Sequence, residues 1–376
     1  MRTATRWGLL AAATAALVAG TAGAADAAPT HGRPAPTAGT VFVQTDDASG
    51  NQIVAYDRAA NGTLSQAGVY ATGGPGGALD GSVVDHTASQ GAVAIVGDTL
   101  ITVNAGSNTI TTFRIVGDRL VRRQTISSGG EFPVSVTSHG NEVYVLNARH
   151  GASVQGYVDL GGYLAPLPGG NRRLGLPDST PEFVSTAAEV AFTPDGSKLV
   201  VSTKGSGSGF DVFRSYGLLG LSARPVVSTF AGAAPFGFVF DRGGHLVATE
   251  SGTNTIATFA IQPSGTVTRL AESATGQKGT CWIVGSGDRF WTSNAGSGTL
   301  SRYTDSSDGR IAGGATTPTD AGTVDAAVSP DGSFLYVQTG AAGIVDEFSV
   351  AGDGSLTEVG SVTVPNGVGA EGIVVR

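Results

Sequence analysis

The stretch EVAFTPDGSKLVVST, residues 189–203, decides the fold. Two short runs of β-forming residues flank the turn TPDG at residues 193–196, where Asp-Gly supplies the positive φ that a tight hairpin requires. The turn SPDG at residues 329–332 precedes another apolar run in the same way. The stretch therefore predicts an antiparallel strand pair that recurs along the chain.

The second strand of this pair has seven copies, and each is a short β-rich run that ends in a polar residue. The copies read VFVQT (41–45), LITVN (100–104), VYVLN (143–147), LVVST (199–203), LVATE (246–250), FWTSN (290–294) and LYVQT (335–339). A loop rich in Gly, Ser and Asn follows each copy, and then a strand that carries one aromatic residue. Copies spaced by about 45 residues, without helical periodicity, predict an all-β, seven-bladed β-propeller over residues 40–376.

The two ends of the repeat array predict how the ring closes. The first copy has no inner strand before Val41, whereas a spare strand, AEGIVV (370–375), follows the last copy. Pairing this strand into the first blade would remove the open edges between the first and last blades. We therefore expect the C-terminal strand to close the ring.

Residues 1–27 have the three parts of a secretory signal peptide. Arg2 and Arg6 give a positive start, an apolar run follows at 9–18, and two A-x-A sites come next. The apolar run is shorter than the roughly 20 residues of a membrane-spanning helix. We predict cleavage before Ala28, although either A-x-A site fits, and a secreted, extracellular protein. Residues 28–39 are Pro-rich and predict a flexible lead-in.

The composition excludes several classes of function. With 22 Lys and Arg against 30 Asp and Glu, the net charge of −8 argues against a nucleic-acid partner, which needs a basic face. The one cysteine, Cys281, excludes an internal disulfide framework and a multi-cysteine metal cluster. No cofactor or metal motif is found, so neither is predicted. We expect a monomer without a membrane span, whose partner is a small polar ligand or an extracellular protein.

Two long connections depart from the period of the repeat, at residues 71–91 and 166–188. Both join an outer strand to the next inner strand. In a propeller these connections lie on the same face as the loops between second and third strands, and we call this face the insertion-bearing face. Long irregular connections on a regular scaffold are commonly functional, so this face is the predicted ligand face.

Polar residues that end the second strands, or begin the inner strands, are the candidate binding residues around the central channel. We predict that six of these residues bind the ligand: Asn104, Asn147, Lys204, Glu250, Asn294 and Glu371. Lys204 and Glu250 replace the Asn or Thr of most other copies, and we expect both to point toward the channel mouth. Such a ring suits a polar small molecule; alternatively, the same groups cap strand ends and solvate the channel.

The run SKLVVST after TPDG, and the Gly-x-Leu turns after the aromatic strands, resemble the seven-bladed lactonase propellers of the 6-phosphogluconolactonase and carboxymuconate lactonising types. The resemblance covers roughly residues 40–376 and implies a lactone or related cyclic ester as ancestral substrate. Members of that family commonly pair an Arg-His step at an inner-strand start with a Glu that ends the following second strand. Here the matching inner strand begins Thr186-Ala187-Ala188-Glu189, and Lys204 stands where the Glu is expected.

Two hypotheses follow. In the first, the chain is a secreted, non-catalytic propeller that binds a sugar acid or lactone, or a protein, on the insertion-bearing face. In the second, it is an extracellular lactone hydrolase with relocated residues, for which the candidate catalytic residues are Glu250, Glu189 and His150, with Lys204 beside them. A screen that reads hydrolysis and binding in parallel separates the two.

Overall fold

The computed structural model describes residues 38–306 and 308–376. The predicted signal peptide (1–27) and all but the end of the predicted lead-in (28–39) lie outside these residues. Two short 3₁₀ helices, Ala105–Ser107 and Glu182–Val184, interrupt an otherwise all-β structure. Within the described residues, no helix is both long enough and apolar enough to span a membrane.

The described strands are numbered in chain order. They are β1 (Gly39–Gln44), β2 (Gln52–Arg58), β3 (Leu64–Ala71), β4 (Val93–Val96), β5 (Thr99–Asn104), β6 (Thr109–Val116), β7 (Arg119–Ser127), β8 (Pro133–His139), β9 (Glu142–Asn147), β10 (Ser153–Asp159), β11 (Leu164–Arg173), β12 (Ala187–Phe192), β13 (Lys198–Thr203), β14 (Gly209–Arg214), β15 (Val226–Thr229), β16 (Pro235–Phe240), β17 (Leu246–Glu250), β18 (Thr255–Ile261), β19 (Val267–Ala274), β20 (Thr280–Ser286), β21 (Arg289–Asn294), β22 (Thr299–Asp305), β23 (Ile311–Pro318), β24 (Thr323–Val328), β25 (Phe334–Thr339), β26 (Ile344–Val350), β27 (Leu356–Thr363) and β28 (Ile373–Val375).

These strands form seven four-stranded antiparallel sheets, which are the blades of a β-propeller. Blade 1 has the order β28-β1-β2-β3 from the inner to the outer strand, and blade 2 has β4-β5-β6-β7. Blades 3 to 7 continue in chain order and end with β24-β25-β26-β27. The predicted seven-bladed, all-β fold is confirmed.

Ring closure occurs as predicted, because the C-terminal strand supplies the inner strand of blade 1. In the β1–β28 pair, Val41 faces Val375 and Val43 faces Ile373. Beyond the pair, Thr40 and Arg376 exchange backbone hydrogen bonds of 2.9 and 2.8 Å. Blade 1 is therefore assembled from the two ends of the propeller sequence.

The aromatic residues of the third strands form the packing between blades. All seven are at most 1% exposed: Tyr56, Phe113, Tyr157, Phe213, Phe259, Tyr303 and Phe348. Between blades 4 and 5, for example, the rings of Phe210 and Phe259 meet edge to face with centroids 5.2 Å apart. Because adjacent blades share one apolar layer, each blade is stabilised by its neighbours.

The second predicted insertion is shorter than expected. Residues 166–173 belong to the outer strand β11, which pairs with β10 across a bulge between Gln155 and Tyr157. Gly169, at φ +67°, allows the chain to leave and rejoin the ladder there. The irregular connection is therefore 174–186, and the prediction of 166–188 was wrong at its start because a bulged strand rich in Pro and Gly reads as a loop.

Candidate functional site

The first insertion, residues 72–92, enters the central channel instead of lying over its mouth. The Ala88 carbonyl accepts from Lys204 Nζ at 2.5 Å, and the Ser89 carbonyl accepts from Trp282 Nε1 at 2.6 Å. Ser89 Oγ donates to the Val134 carbonyl at 2.9 Å. Val134 and Trp282 lie on the inner strands of blades 3 and 6, and Lys204 belongs to blade 4. A segment that contacts blades on opposite sides of the ring lies on its axis, and we call residues 85–90 the plug.

Asp85 shapes the plug. Its Oδ1 accepts from the backbone N–H groups of Thr87 and Ala88 at 2.8 Å each, and its Oδ2 accepts from the Ser89 N–H at 2.9 Å. An aspartate that accepts from the following backbone N–H groups stabilises a tight turn without a neighbouring strand. The sequence DHTASQ is thus held as one compact turn inside the channel.

Four carboxyl groups and one amine surround the plug, which adds the carboxyl group of Asp85, and all six are buried. We call this set the channel cluster: Asp46, Asp85, Glu189, Lys204, Asp325 and Glu371. Burial raises the pKa of Asp46 to about 8 and that of Asp325 to about 7, because water no longer solvates the carboxylate form. Burial also raises the pKa of Glu189 and Glu371 well above the ordinary value, and it lowers the pKa of Lys204 to about 7. Several of these carboxyl groups therefore hold protons at neutral pH.

Three of the predicted site residues, Glu189, Lys204 and Glu371, are brought together in the channel cluster. Glu371 accepts from Thr87 Oγ1 at 3.2 Å, and its own backbone N–H donates to Asp46 Oδ2 at 2.9 Å. Glu189 accepts from the Phe238 N–H at 2.6 Å and from Gln90 Nε2 at 3.4 Å. These contacts hold the plug and leave the three side chains at most 8% exposed.

The three predicted asparagines are buried at the ends of their second strands. Asn104 and Asn294 donate within their own blades, whereas Asn147 donates to the connection that leads in from blade 2. Asn104 Nδ2 donates to Thr109 and Thr111 at 3.0 Å each, and Asn294 Nδ2 donates to Thr299 at 3.1 Å and Ser301 at 2.9 Å. Asn147 Nδ2 donates to the Ser128 carbonyl at 3.2 Å. This is the arrangement expected of residues that cap strand ends, the alternative considered for them from the sequence.

Glu250 does not meet Lys204. Its Oε2 accepts from Thr255 Oγ1 at 2.8 Å, and its Oε1 pairs with Arg269. Thr255 lies on β18 and Arg269 on the outer strand β19, so the Glu250 carboxylate is directed outward, along its own blade. The expectation that it points toward the channel mouth was wrong, because the polar residue that ends a second strand is drawn to the partners beside it.

His150 lies apart from the channel, at an open cleft on the insertion-bearing face. This cleft has a volume of about 530 Å³ between the second-to-third connection of blade 3 and residues 176–186. Its lining includes Arg149, His150, Asp178, Glu182 and Thr186. A neighbouring cleft of about 440 Å³ shares Arg149 and His150 and adds Glu131, Asn171 and Arg173. We call the two together the blade-3 cleft.

Arg149 and Glu182 form the fixed centre of the blade-3 cleft. The guanidinium donates through Nε to Glu182 Oε1 at 2.9 Å and through Nη2 to Oε2 at 2.7 Å. It also stacks on Phe132, with Cζ 4.3 Å from the ring centroid. The hydrogen bonds from Arg149 lower the pKa of Glu182.

The two insertions meet at this ion pair. The backbone N–H of Asp80, in the first insertion, donates to Glu182 Oε2 at 2.9 Å, and the Phe183 N–H donates to the Asp80 carbonyl at 3.2 Å. Arg149 and Glu182 are 33 positions apart. Sequence reasoning therefore missed both, and the only signal was the pair Arg149-His150 beside a long connection.

His150 and Thr186 are two further polar residues that line the cleft. His150 Nε2 lies 2.9 Å from Glu131 Oε2, and both side chains are more than half exposed. The Thr186 hydroxyl is buried without a hydrogen-bond partner among the described residues. Nowhere in the described ranges do three or more His, Cys, Asp or Glu side chains cluster as they would around a metal ion.

No protein-family model matches the sequence, and a search of curated proteins finds no match. Solved structures share the fold across nearly the whole propeller. A candidate 6-phosphogluconolactonase of Bacteroides uniformis aligns with a TM-score of 0.73 and 15% identity, covering 90% of this chain and 99% of that chain.

Two further structures give the same picture. A protein of Lactobacillus plantarum aligns with a TM-score of 0.72 and 21% identity, covering 90% of this chain and 98% of that chain. The periplasmic gluconolactonase of Pseudomonas aeruginosa aligns with a TM-score of 0.70 and 19% identity over the same shares of the two chains. The predicted resemblance to seven-bladed lactonase propellers is confirmed in fold.

Proposed function

We propose that the chain is a secreted, non-catalytic propeller that binds a small polar ligand, a sugar acid or its lactone, in the blade-3 cleft. The observation that carries the proposal is the contrast on one face: the plug fills the channel end, whereas the blade-3 cleft is open and lined by polar side chains. Ligand sites are concave and hold a few fixed polar groups, which describes the cleft.

The chemistry of the cleft supports a ligand with a carboxylate or ester and several hydroxyl groups. Arg149 is fixed by Glu182 and by Phe132, so it presents its remaining donors at little entropic cost. Asp178, which accepts from the Gly151 N–H at 3.1 Å, offers acceptors for hydroxyl groups.

The second candidate function is a lactone hydrolase at the same cleft. It is favoured by the adjacent pair Arg149-His150, in which His150 can activate water while Arg149 stabilises the oxyanion. The fold of the Pseudomonas aeruginosa periplasmic gluconolactonase agrees with this alternative. An extracellular protein partner on the same face is the third possibility.

The test is a screen of sugar acids and lactones that reads thermal shift and hydrolysis in parallel. Arg149→Gln should weaken binding of a hit by about tenfold or more, since a charge-assisted hydrogen bond contributes about 1.5–3 kcal/mol. Arg149→Lys keeps the charge and loses the fork geometry, and Arg310→Gln, at an exposed arginine, is the control.

The outcomes separate the candidates. Turnover that His150→Gln abolishes, with binding retained, identifies an enzyme. Binding without turnover in the unchanged protein supports the binding protein. If Arg149→Gln and Asp178→Asn bind every hit as tightly as the unchanged protein, the blade-3 cleft is not the site.

Secretion is part of this proposal and rests on residues 1–27 alone. The protein recovered from culture medium should begin at Ala28. N-terminal sequencing of that product checks this, and recovery of Met1 on a membrane-bound product would overturn it.

A further inference from the structure

We propose that the propeller docks onto an anionic lipid surface through the opposite face, by the third-to-outer turn of blade 4. This turn carries three exposed apolar side chains, and we call residues 216–219 the apolar tip. Leu219 is 86% exposed, Leu218 54% and Tyr216 52%. Exposed apolar groups gathered on one protruding turn mark a contact surface more strongly than single ones scattered over a protein.

The apolar tip is held rigidly. The Tyr216 N–H donates to the Gly220 carbonyl at 2.9 Å, and the Gly220 N–H donates to the Gly217 carbonyl at 2.8 Å. At its base, Leu221 is buried in the core. Arg172, from blade 3, donates to the Leu221 carbonyl at 2.6 Å and to the Ser222 carbonyl at 2.9 Å. A turn fixed in this way cannot fold its leucines back onto the protein.

A basic cleft lies directly beside the apolar tip. It has a volume of about 440 Å³ between blades 4 and 5 and is lined by Tyr216 together with Lys198, Arg214 and Arg224. Of the described residues that line it, three are cationic and none is acidic. Asp195 lies near Lys198 but is occupied by hydrogen bonds from Thr193 and Ser197. This local positive charge stands on a protein whose net charge is −8.

The two features together favour a bilayer over a soluble anion. A lipid surface offers phosphate groups at the depth where Lys and Arg bind and an apolar boundary just below, where leucine and tyrosine insert. A soluble phosphate would use the cations and leave Leu218 and Leu219 exposed. The predicted lack of a membrane-spanning segment is unaffected, because this contact is peripheral.

This contact is independent of the proposed function. The apolar tip joins a third strand to an outer strand, so it lies on the face opposite to the blade-3 cleft. A propeller bound through the tip keeps its insertion-bearing face directed toward the medium.

Vesicle co-sedimentation tests the inference with the full chain. Vesicles of equal parts phosphatidylglycerol and phosphatidylcholine should bind the protein, and vesicles of phosphatidylcholine alone should bind it much less. The double variant Leu218→Ser/Leu219→Ser should lose at least about tenfold in vesicle affinity, because two leucines no longer leave water. The variant and the unchanged protein are identical in residues 1–37. The difference between their vesicle affinities therefore reports the contribution of the apolar tip alone.

Two more variants separate charge from apolar insertion. Arg214→Gln/Arg224→Gln should remove the preference for phosphatidylglycerol, and the binding of the unchanged protein should fall with added salt. The control is Val83→Ser/Val368→Ser, at two exposed valines of the insertion-bearing face. It should bind vesicles as the unchanged protein does.

Undiminished vesicle binding by the leucine variant would overturn the proposal. So would a thermal shift with inorganic phosphate that depends on Arg214 and Arg224 without any vesicle binding, since the cleft would then take a soluble anion. Circular dichroism of each variant ensures that a loss of binding is not a loss of fold.

Discussion

The channel end and the blade-3 cleft lie on the same face, and both are rich in charged side chains. They differ in how far those side chains are buried. In the channel cluster, six ionisable groups are buried, five of them around the plug and one, Asp85, within it. In the blade-3 cleft, Arg149 and Glu182 are about two-thirds and three-quarters buried, respectively, and open to a volume of about 530 Å³. Charge at a strand end therefore does not by itself indicate a group that a ligand can reach.

The largest effect should come from the ring closure that supports the channel end. Deleting residues 370–376 removes β28, its backbone hydrogen bonds to β1, and Glu371. At about 0.5–1.5 kcal/mol for each net hydrogen bond, plus the buried Ile373, the free energy of unfolding should fall by about 4 kcal/mol or more. Urea denaturation measures it, and a curve that overlays the full-length curve would contradict the closure of the ring.

Lys204→Met should lower the free energy of unfolding by about 3 kcal/mol, because the buried Ala88 carbonyl loses its donor and the carboxyl groups lose their only amine. From the sequence alone, Lys204 is expected at the channel mouth, where this substitution would weaken ligand binding and leave the melting temperature nearly unchanged. Lys278→Met, at an exposed lysine of the same face, is the control. Equal melting temperatures for the two variants would mean that Lys204 does not stabilise the plug.

The protein should lose stability as the pH rises from 5 to 7. The folded pKa values of Asp46, about 8, and Asp325, about 7, lie above the ordinary value of 3.8, so the folded state binds more protons than the unfolded state. The stabilisation is complete below about pH 4 and is lost as the pH rises through 7 and 8. The titration of Lys204 affects stability mainly above pH 7, because its folded pKa of about 7 lies below the unfolded value of 10.5.

The expected loss between pH 5 and pH 7 is at least about 2 kcal/mol, since a single proton that only the folded state holds contributes about 1.4 kcal/mol per pH unit. Urea midpoints at the two pH values measure it. Asp46→Asn should flatten the dependence, whereas Asp178→Asn in the blade-3 cleft should not. A stability that rises over this window would show that the channel cluster is ionised.

Glu250→Gln should give the smallest effect, a fall of about 1 kcal/mol in the free energy of unfolding. The amide keeps the hydrogen bond from Thr255 and loses the charge that pairs with Arg269. Ligand affinity should not change if the blade-3 cleft is the site. A large loss of ligand affinity with unchanged stability would show that Glu250 takes part in ligand binding.

The strands were predictable because each blade repeats the same local chemistry. β-branched runs, a Gly-containing turn and a buried aromatic such as Phe259 define the blade without reference to distant residues. The spare strand at 373–375 followed from counting inner strands. Burial of Asn104 and Asn294 also follows, since each donates to neighbours five and seven residues away.

The plug and the blade-3 cleft were not predictable in the same way. DHTASQ, residues 85–90, has no periodicity and reads as a polar surface loop, because its partners Lys204 and Trp282 are more than a hundred positions away. Arg149 and Glu182 likewise belong to different connections. Only the packing of the loops on the folded blades brings these residues into contact.

The pairing of β1 with β28 delays closure of the ring until the last strand of the propeller has been made. Asp46 and the Glu371 N–H, which meet beside this pair, are separated by 325 positions. During synthesis β1 therefore waits for its partner until residues 373–375 have been made, and contacts of such long range form slowly. Until then the edge of β1 is unpaired, and an unpaired strand edge can pair with other chains.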